Sequence, residues 1–157
     1  MENQLTILAE SLEKKRQVLV QIQEYNKRQE MIFSEESVNM DDFDAAVEEK
    51  GRLIEALTKL DVGFEILYEK LAEQLRDNRQ KYAEEIRDIQ QQIAVITEMS
   101  MSIQAQEKRN KQLIERYFSK QRADILENRK NSQAAYDYYK RVSSVNYAPP
   151  QFMDSKQ

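Results

Sequence analysis

The side chains best able to do chemistry are carboxylates, since histidine, cysteine and tryptophan are all absent from the 157 residues. Adjacent pairs occur at Asp41 and Asp42, Glu48 and Glu49, and Glu84 and Glu85. On a helix, neighbouring residues diverge by about 100°, so such pairs do not converge on one cation or share one proton. Di-iron bundles need inward Glu-x-x-His motifs, and without histidine none can be built. No catalytic residue, metal ligand or cofactor is therefore assigned, and the chain is expected to bind rather than catalyse.

A second group with chemical character lies late in the chain. Residues 1–103 hold 13 Lys/Arg against 22 Asp/Glu, a net −9, whereas residues 104–142 hold 10 against 5, a net +5. Arg116, Tyr117, Phe118, Lys120, Arg122, Arg129 and Lys130 mix cations with aromatics, a combination that can bind phosphates by counterion release. An ordinary solvated face and a site for an acidic protein are the other two readings. With the whole chain at net −4, nucleic acid ranks last. Between Gln104 and Ile125 the apolar stripe thins, with Gln104, Gln106, Asn110 and Gln112 among few large apolar residues, a face suited to adjustable contacts. Ala134 and Ala135 beside Tyr136, Tyr138 and Tyr139 suit helix-in-groove docking or, alternatively, cover the end of a bundle.

The elements that must position these groups are long helices. From Asp41 to Arg141 there are two glycines and no proline, and large apolar residues recur every three or four positions. A first helix is expected over about 3–33, with Leu5, Leu8, Leu12, Leu19, Ile22 and Phe33 on one stripe. Lys15, Asn26 and Gln29 interrupt that stripe; a polar seam residue can set register, but a solvated edge is the simpler expectation. SEESVNMDD breaks the period and offers Asn39 or Asp41 as an N-cap.

The second helix, about 41–76, carries a heptad from Leu53 to Leu71, and Gly63 within it is expected to mark a kink or a close helix approach. Asp77 and Asn78 place a turn near 76–80. A third helix over about 80–139 would be roughly 90 Å long and would outrun its partners. Met99 and Met101 are read as core filling. Pro149 and Pro150 open a flexible, disordered tail, 142–157, in which Phe152 and Met153 are read as stray apolar residues rather than a docking motif.

The expected architecture is thus all-α: one domain, 1–141, forming an elongated antiparallel three-helix coiled-coil bundle with a long C-terminal helix. The amino terminus lacks the pattern of a signal peptide and no apolar run approaches 20 residues, so a cytoplasmic protein without stable membrane insertion is expected. Zero cysteine excludes disulfides and fits either a reducing cytosol or a protein that never needed thiols.

The order of segments resembles the flagellar type III export chaperones of the FlgN kind. NMDDFDAAVEEKGRLIEAL is similar to the family's cap followed by an acidic helix with a K-x-x-L-I step, here Lys50, Leu53 and Ile54. QAQEKRNKQLIERYF resembles its N-x-x-L-[LI] stretch, here Asn110, Leu113 and Ile114, and YDYYK stands where a tyrosine commonly closes the last helix. The resemblance spans Leu5 to Tyr139. Gln106 replaces a common asparagine and the stretch from Asp61 to Tyr82 is longer than typical, so the sister chaperones of the filament cap stay in view.

The resemblance implies a chaperone that keeps hook-filament junction proteins, or the filament cap protein, from assembling early and delivers them to the export gate. It implies client contacts at Ile103, Asn110, Leu113, Ile114, Tyr117, Phe118 and Ile125, oriented by Arg116 and Arg122. Tyr136, Tyr138 or Tyr139 would contact the export apparatus. The rival is a structural coiled coil or scaffold that self-associates, and a homodimer remains compatible with either. Breaks near 34–40 and 76–80 favour a folded-back bundle over a rod.

Overall fold

The computed structural model describes residues 1–35, 37–121, 137, 138, 140, 141 and 152. Three helices run α1 (Glu2–Ser34), α2 (Met40–Asp77) and α3 (Ala83–Lys120). The start of α2 is locally encoded: the Asn39 side chain accepts hydrogen bonds from the Asp41 and Asp42 amides at 3.1 and 3.2 Å, and both aspartates sit favourably at the positive end of the helix dipole. Glu84 and Glu85 in the first turn of α3 and Lys120 in its last complement its dipole likewise. The second turn lies at 78–82, close to its expected place.

The chain folds up, down and up. Lys15 meets Asp61 and Gln29 meets Lys50, so α2 is antiparallel to α1; Asn26 meets Gln106 and Gln29 meets Asn110, so α3 runs parallel to it. α1 packs along both partners, while α2 and α3 touch each other little. The fold is an all-α three-helix bundle in which α1 is shared and a groove remains between the other two.

Each helix contributes an unbroken heptad of inward positions. On α1 it passes through Leu5, Leu8, Leu12, Lys15, Leu19, Ile22, Asn26 and Gln29, all buried. On α2 it is Phe43, Val47, Lys50, Ile54, Leu57, Phe64, Leu71 and Leu75, with half-buried Asp61 and Tyr68 filling its two gaps. On α3 it is Ile86, Ile89, Ile96, Ser100, Ile103, Glu107, Asn110 and Ile114, with Ile93 half-buried. Each fully buried leucine or isoleucine contributes about 1.5–3 kcal/mol.

Several expectations are corrected. Lys15, Asn26 and Gln29 are not a solvated edge: all three are at most 1% exposed, because each meets a polar side chain from another helix. In the expected α2 heptad, Leu53, Leu60 and Leu67 are half-buried flankers, and the true stripe passes through Lys50 and Asp61 instead. Gly63 lies on an exposed face with open space where a Cβ would go, so it marks no close approach. Met99 packs on the core as expected, but Met101 is 66% exposed, since it falls off the heptad.

The long third helix is also overturned. α3 ends at Lys120, and the Tyr138 hydroxyl donates to Glu107 at 2.8 Å. On an uninterrupted helix those residues would be about 46 Å apart, so the chain has reversed by Tyr138. The groove between α2 and α3 accounts for the return, because it gives the tyrosine a buried site. The expected tail, 142–157, lies outside the described residues apart from Phe152, which is no stray: its ring centre is 4.9 Å from that of Tyr68 and 6.2 Å from that of Phe64.

Candidate functional site

Two places concentrate side chains with chemical character. One is a polar layer across the bundle. Asn26 and Gln29 from α1, Lys50 from α2, and Gln106, Glu107 and Asn110 from α3 are all buried, and Tyr138 closes the layer from the groove side. Heptad spacing brings them together: Asn26 and Gln29, like Glu107 and Asn110, are one turn apart on the inward stripe.

The hydrogen bonds join all three helices. Asn26 Nδ2 donates to Gln106 Oε1 at 3.2 Å, and Asn110 Nδ2 reaches the Asn26 carbonyl at 3.0 Å and Gln29 Oε1 at 3.2 Å. Lys50 Nζ donates to Gln29 Oε1 at 2.9 Å, pairs with Glu107 Oε1 at 2.6 Å and lies 4.3 Å from the centre of the Tyr138 ring. An ammonium has three donors, and Lys50 makes three contacts.

Burial brings the Lys50 amine down to about 8, against the opposing pull of Glu107. A lysine depressed in this way can act as a nucleophile where a substrate can reach it. Lys50 is 0% exposed and fully engaged, so its arrangement is that of a structural cation. Halfway along the bundle Lys15 Nζ pairs with Asp61 at 2.9 Å. Burial pushes the Asp61 carboxyl up, outweighing the Lys15 contact that draws it down.

The second place is a cleft of about 510 Å³ where the α1–α2 turn meets the end of α3. Half-buried Phe33, Val38, Leu113 and Tyr117 line it together with exposed Arg116 and Lys120, and Glu35 adds one carboxylate. Its aromatic wall is held by Phe33, whose ring centre is 5.3 Å from that of Phe43 and 5.7 Å from that of Tyr117.

The residues expected to bind a client are divided by this geometry. Ile103, Asn110 and Ile114 point into the core and contribute essentially nothing to the surface. Leu113, Arg116 and Tyr117 come together in the cleft, with half-buried Phe118 against Tyr117, ring centres 5.4 Å apart. Arg122, Ile125, Tyr136 and Tyr139 lie outside the described residues. Tyr138 is 0% exposed and covers the bundle, so the bundle-covering alternative describes it and a free export contact does not.

Sequence reasoning missed Lys15, Lys50, Asp61 and Glu107 as buried pairs. The signal was present, since each falls in step with the apolar residues on either side. Among the described residues no group of three or more acidic side chains is placed to hold a metal ion, and no helix is long and apolar enough to cross a membrane. No family model matches the chain, and neither a curated protein nor a solved structure matches it.

Proposed function

We propose that this chain is a cytoplasmic, non-enzymatic export chaperone, similar to the FlgN kind, that holds the assembly-prone terminal helix of a hook-filament junction protein and delivers it to the type III export gate. The observation that carries the reading is the cleft at the end of α3, which combines half-buried Leu113 and Tyr117 with exposed Arg116 and Lys120. An amphipathic client helix would anchor apolar residues there and set its direction by pairing acidic side chains with the two cations. The net +5 of residues 104–142 favours such a client.

The rival reading, a self-associating scaffold, needs an apolar seam left over for other copies. The three heptad stripes are largely consumed within one chain, which weighs against it.

The test is calorimetric titration of the intact chain with purified junction proteins and, separately, the filament cap protein. A Leu113→Asp, Arg116→Glu variant is run in parallel and checked for helicity by circular dichroism. Binding by the intact chain that falls at least tenfold in the variant supports the site. Equal binding by both overturns the cleft. If neither client binds and sedimentation equilibrium shows concentration-dependent association, the scaffold reading replaces the chaperone.

A further inference from the structure

We propose that the groove between the end of α1 and the start of α2 docks a cationic amphipathic helix of another protein. That helix presents arginine or lysine at two positions about two turns apart, with an apolar side chain midway between them. The groove shares Glu35 with the basic cleft and is otherwise lined by different residues.

Two helix stripes build it, enclosing about 450 Å³. Tyr25, Arg28, Ile32 and Glu35 follow one another at three- and four-residue steps on one side, and Asp42, Ala46 and Glu49 do so on the other. From Tyr25 to Glu35 a helix rises about 15 Å, room for a partner of roughly three turns. Ala45 and Ala46 keep the α2 wall low, so a helix backbone can come close. Met31 stands 65% exposed at the edge, an unbranched thioether side chain that adapts to an incoming apolar group.

The charges identify the sign of the partner. Glu35, Asp42 and Glu49 face one cation, Arg28, a net −2. The Arg28 guanidinium lies over the Tyr25 ring, 5.2 Å from its centre, and so is folded onto the groove wall. α1 has no basic residue in its last turn, so the negative end of its dipole meets the Glu35 carboxylate where a cation would be favourable. Glu49 pairs with Arg52, both side chains being well exposed at 43% and 67%. An exposed pair of this kind contributes little and yields to a better placed cation.

Asp42 and Glu49 are seven positions apart on α2, which sets the spacing of the partner's cations. The same segment is turned away from the basic cleft by Arg116 and Lys120. Docking here goes beyond the export reading and does not rest on it, because the two surfaces differ in sign.

The probe is a synthetic alanine-based helical peptide with two arginines seven positions apart and a leucine midway. It is titrated into the full chain carrying carbon-13 at its methionine methyl groups. The Met31 signal should shift saturably while that of Met101, which is 66% exposed on α3, stays in place. A peptide with glutamate for arginine should bind at least tenfold more weakly. So should a full-length Ala45→Arg variant, altered at an exposed position, and a Glu35→Gln, Glu49→Gln variant, each verified as helical by circular dichroism. The Leu113→Asp, Arg116→Glu variant should bind the arginine peptide at least as tightly as the intact chain; weaker binding there would put the peptide in the basic cleft and overturn the proposal. Equal shifts at Met31 and Met101, equal binding by the glutamate peptide, or insensitivity to Ala45→Arg would also overturn it. So would no shift at millimolar peptide, or an equal Met31 shift with spermidine, which would make the groove a site for small cations.

Discussion

The end of the bundle that holds the start of α1 and the α2–α3 turn is built on the same heptad as the opposite end, yet the two are filled with different chemistry. The first is dry: Leu5, Leu8, Leu71, Leu75, Tyr82, Ile86 and Ile89 are buried together in the apolar core. The second carries Asn26, Gln29, Lys50, Glu107 and Asn110 on the same inward stripes, with Gln106 buried beside them. A dry layer stabilises without much regard to which leucine meets which. A polar layer adds little net stability and makes every mismatched register costly, because a shift of one turn strands buried donors and a buried charge. The groove accepts Tyr138 at the polar end, where Glu107 Oε1 can accept and Lys50 presents a cation to the ring.

The contrast is most sharply broken at Lys50. Lys50→Ala leaves Glu107 buried without its cation, and the expected loss is about 3–5 kcal/mol in urea unfolding. If the layer serves register rather than stability, the Lys50→Met, Glu107→Leu double variant recovers most of that loss, and a double-mutant cycle reads the difference. A double variant as unstable as the single one would show that the pair itself stabilises the bundle.

The same lysine predicts a pH dependence. Its folded value of about 8 lies below the ordinary 10.5, so between those limits the unfolded chain holds more protons at this site than the folded one. This group's contribution to stability therefore rises from about pH 8 to pH 10.5, having been unfavourable below that window. The unfolding free energy of the intact chain, minus that of Lys50→Met, should climb across the window; a falling difference would refute the burial of a strained cation.

At the dry end Leu8→Ala should cost about 2–5 kcal/mol by cavity formation, while Leu8→Met costs less than about 1.5 kcal/mol. Tolerance of Met but not Ala by thermal melting would identify volume, rather than pairing, as what this end requires. The smallest effect is expected at Gly63, which is exposed on α2 with room for a Cβ. Gly63→Ala should stabilise by roughly 0.5–1 kcal/mol and leave client binding unchanged. A destabilised Gly63→Ala would mean that something packs on that face in solution.

Much of this architecture was legible in the residues. The Asn39 cap, the turn after Asp77 and the apolar members of the α1 and α3 stripes follow from patterns within a few positions of one another. Three of the failed readings, those of the polar seam residues, share one reason. Lys15, Asn26 and Gln29 looked like interruptions of a seam because a polar side chain has no place on an apolar stripe unless a partner arrives, and their partners lie 46, 80 and 21 positions away. Glu107 was passed over for the same cause, its partner Tyr138 being 31 positions on. The candidate cleft was half legible: Leu113, Arg116 and Tyr117 were named, whereas Phe33 and Val38 join them through the α1–α2 turn.

By itself, then, the sequence determined three helices, the Asn39 cap and most of the apolar inward positions, because helix period and capping act over three or four residues. Tertiary structure alone decided that the polar members of that frame are buried in mutual contact, that α2 and α3 leave a groove, and that Tyr138, Arg141 and Phe152 return to it. Those outcomes depend on which charges and donors meet across distant segments, and the free energy of burying each one is set by the partner it finds.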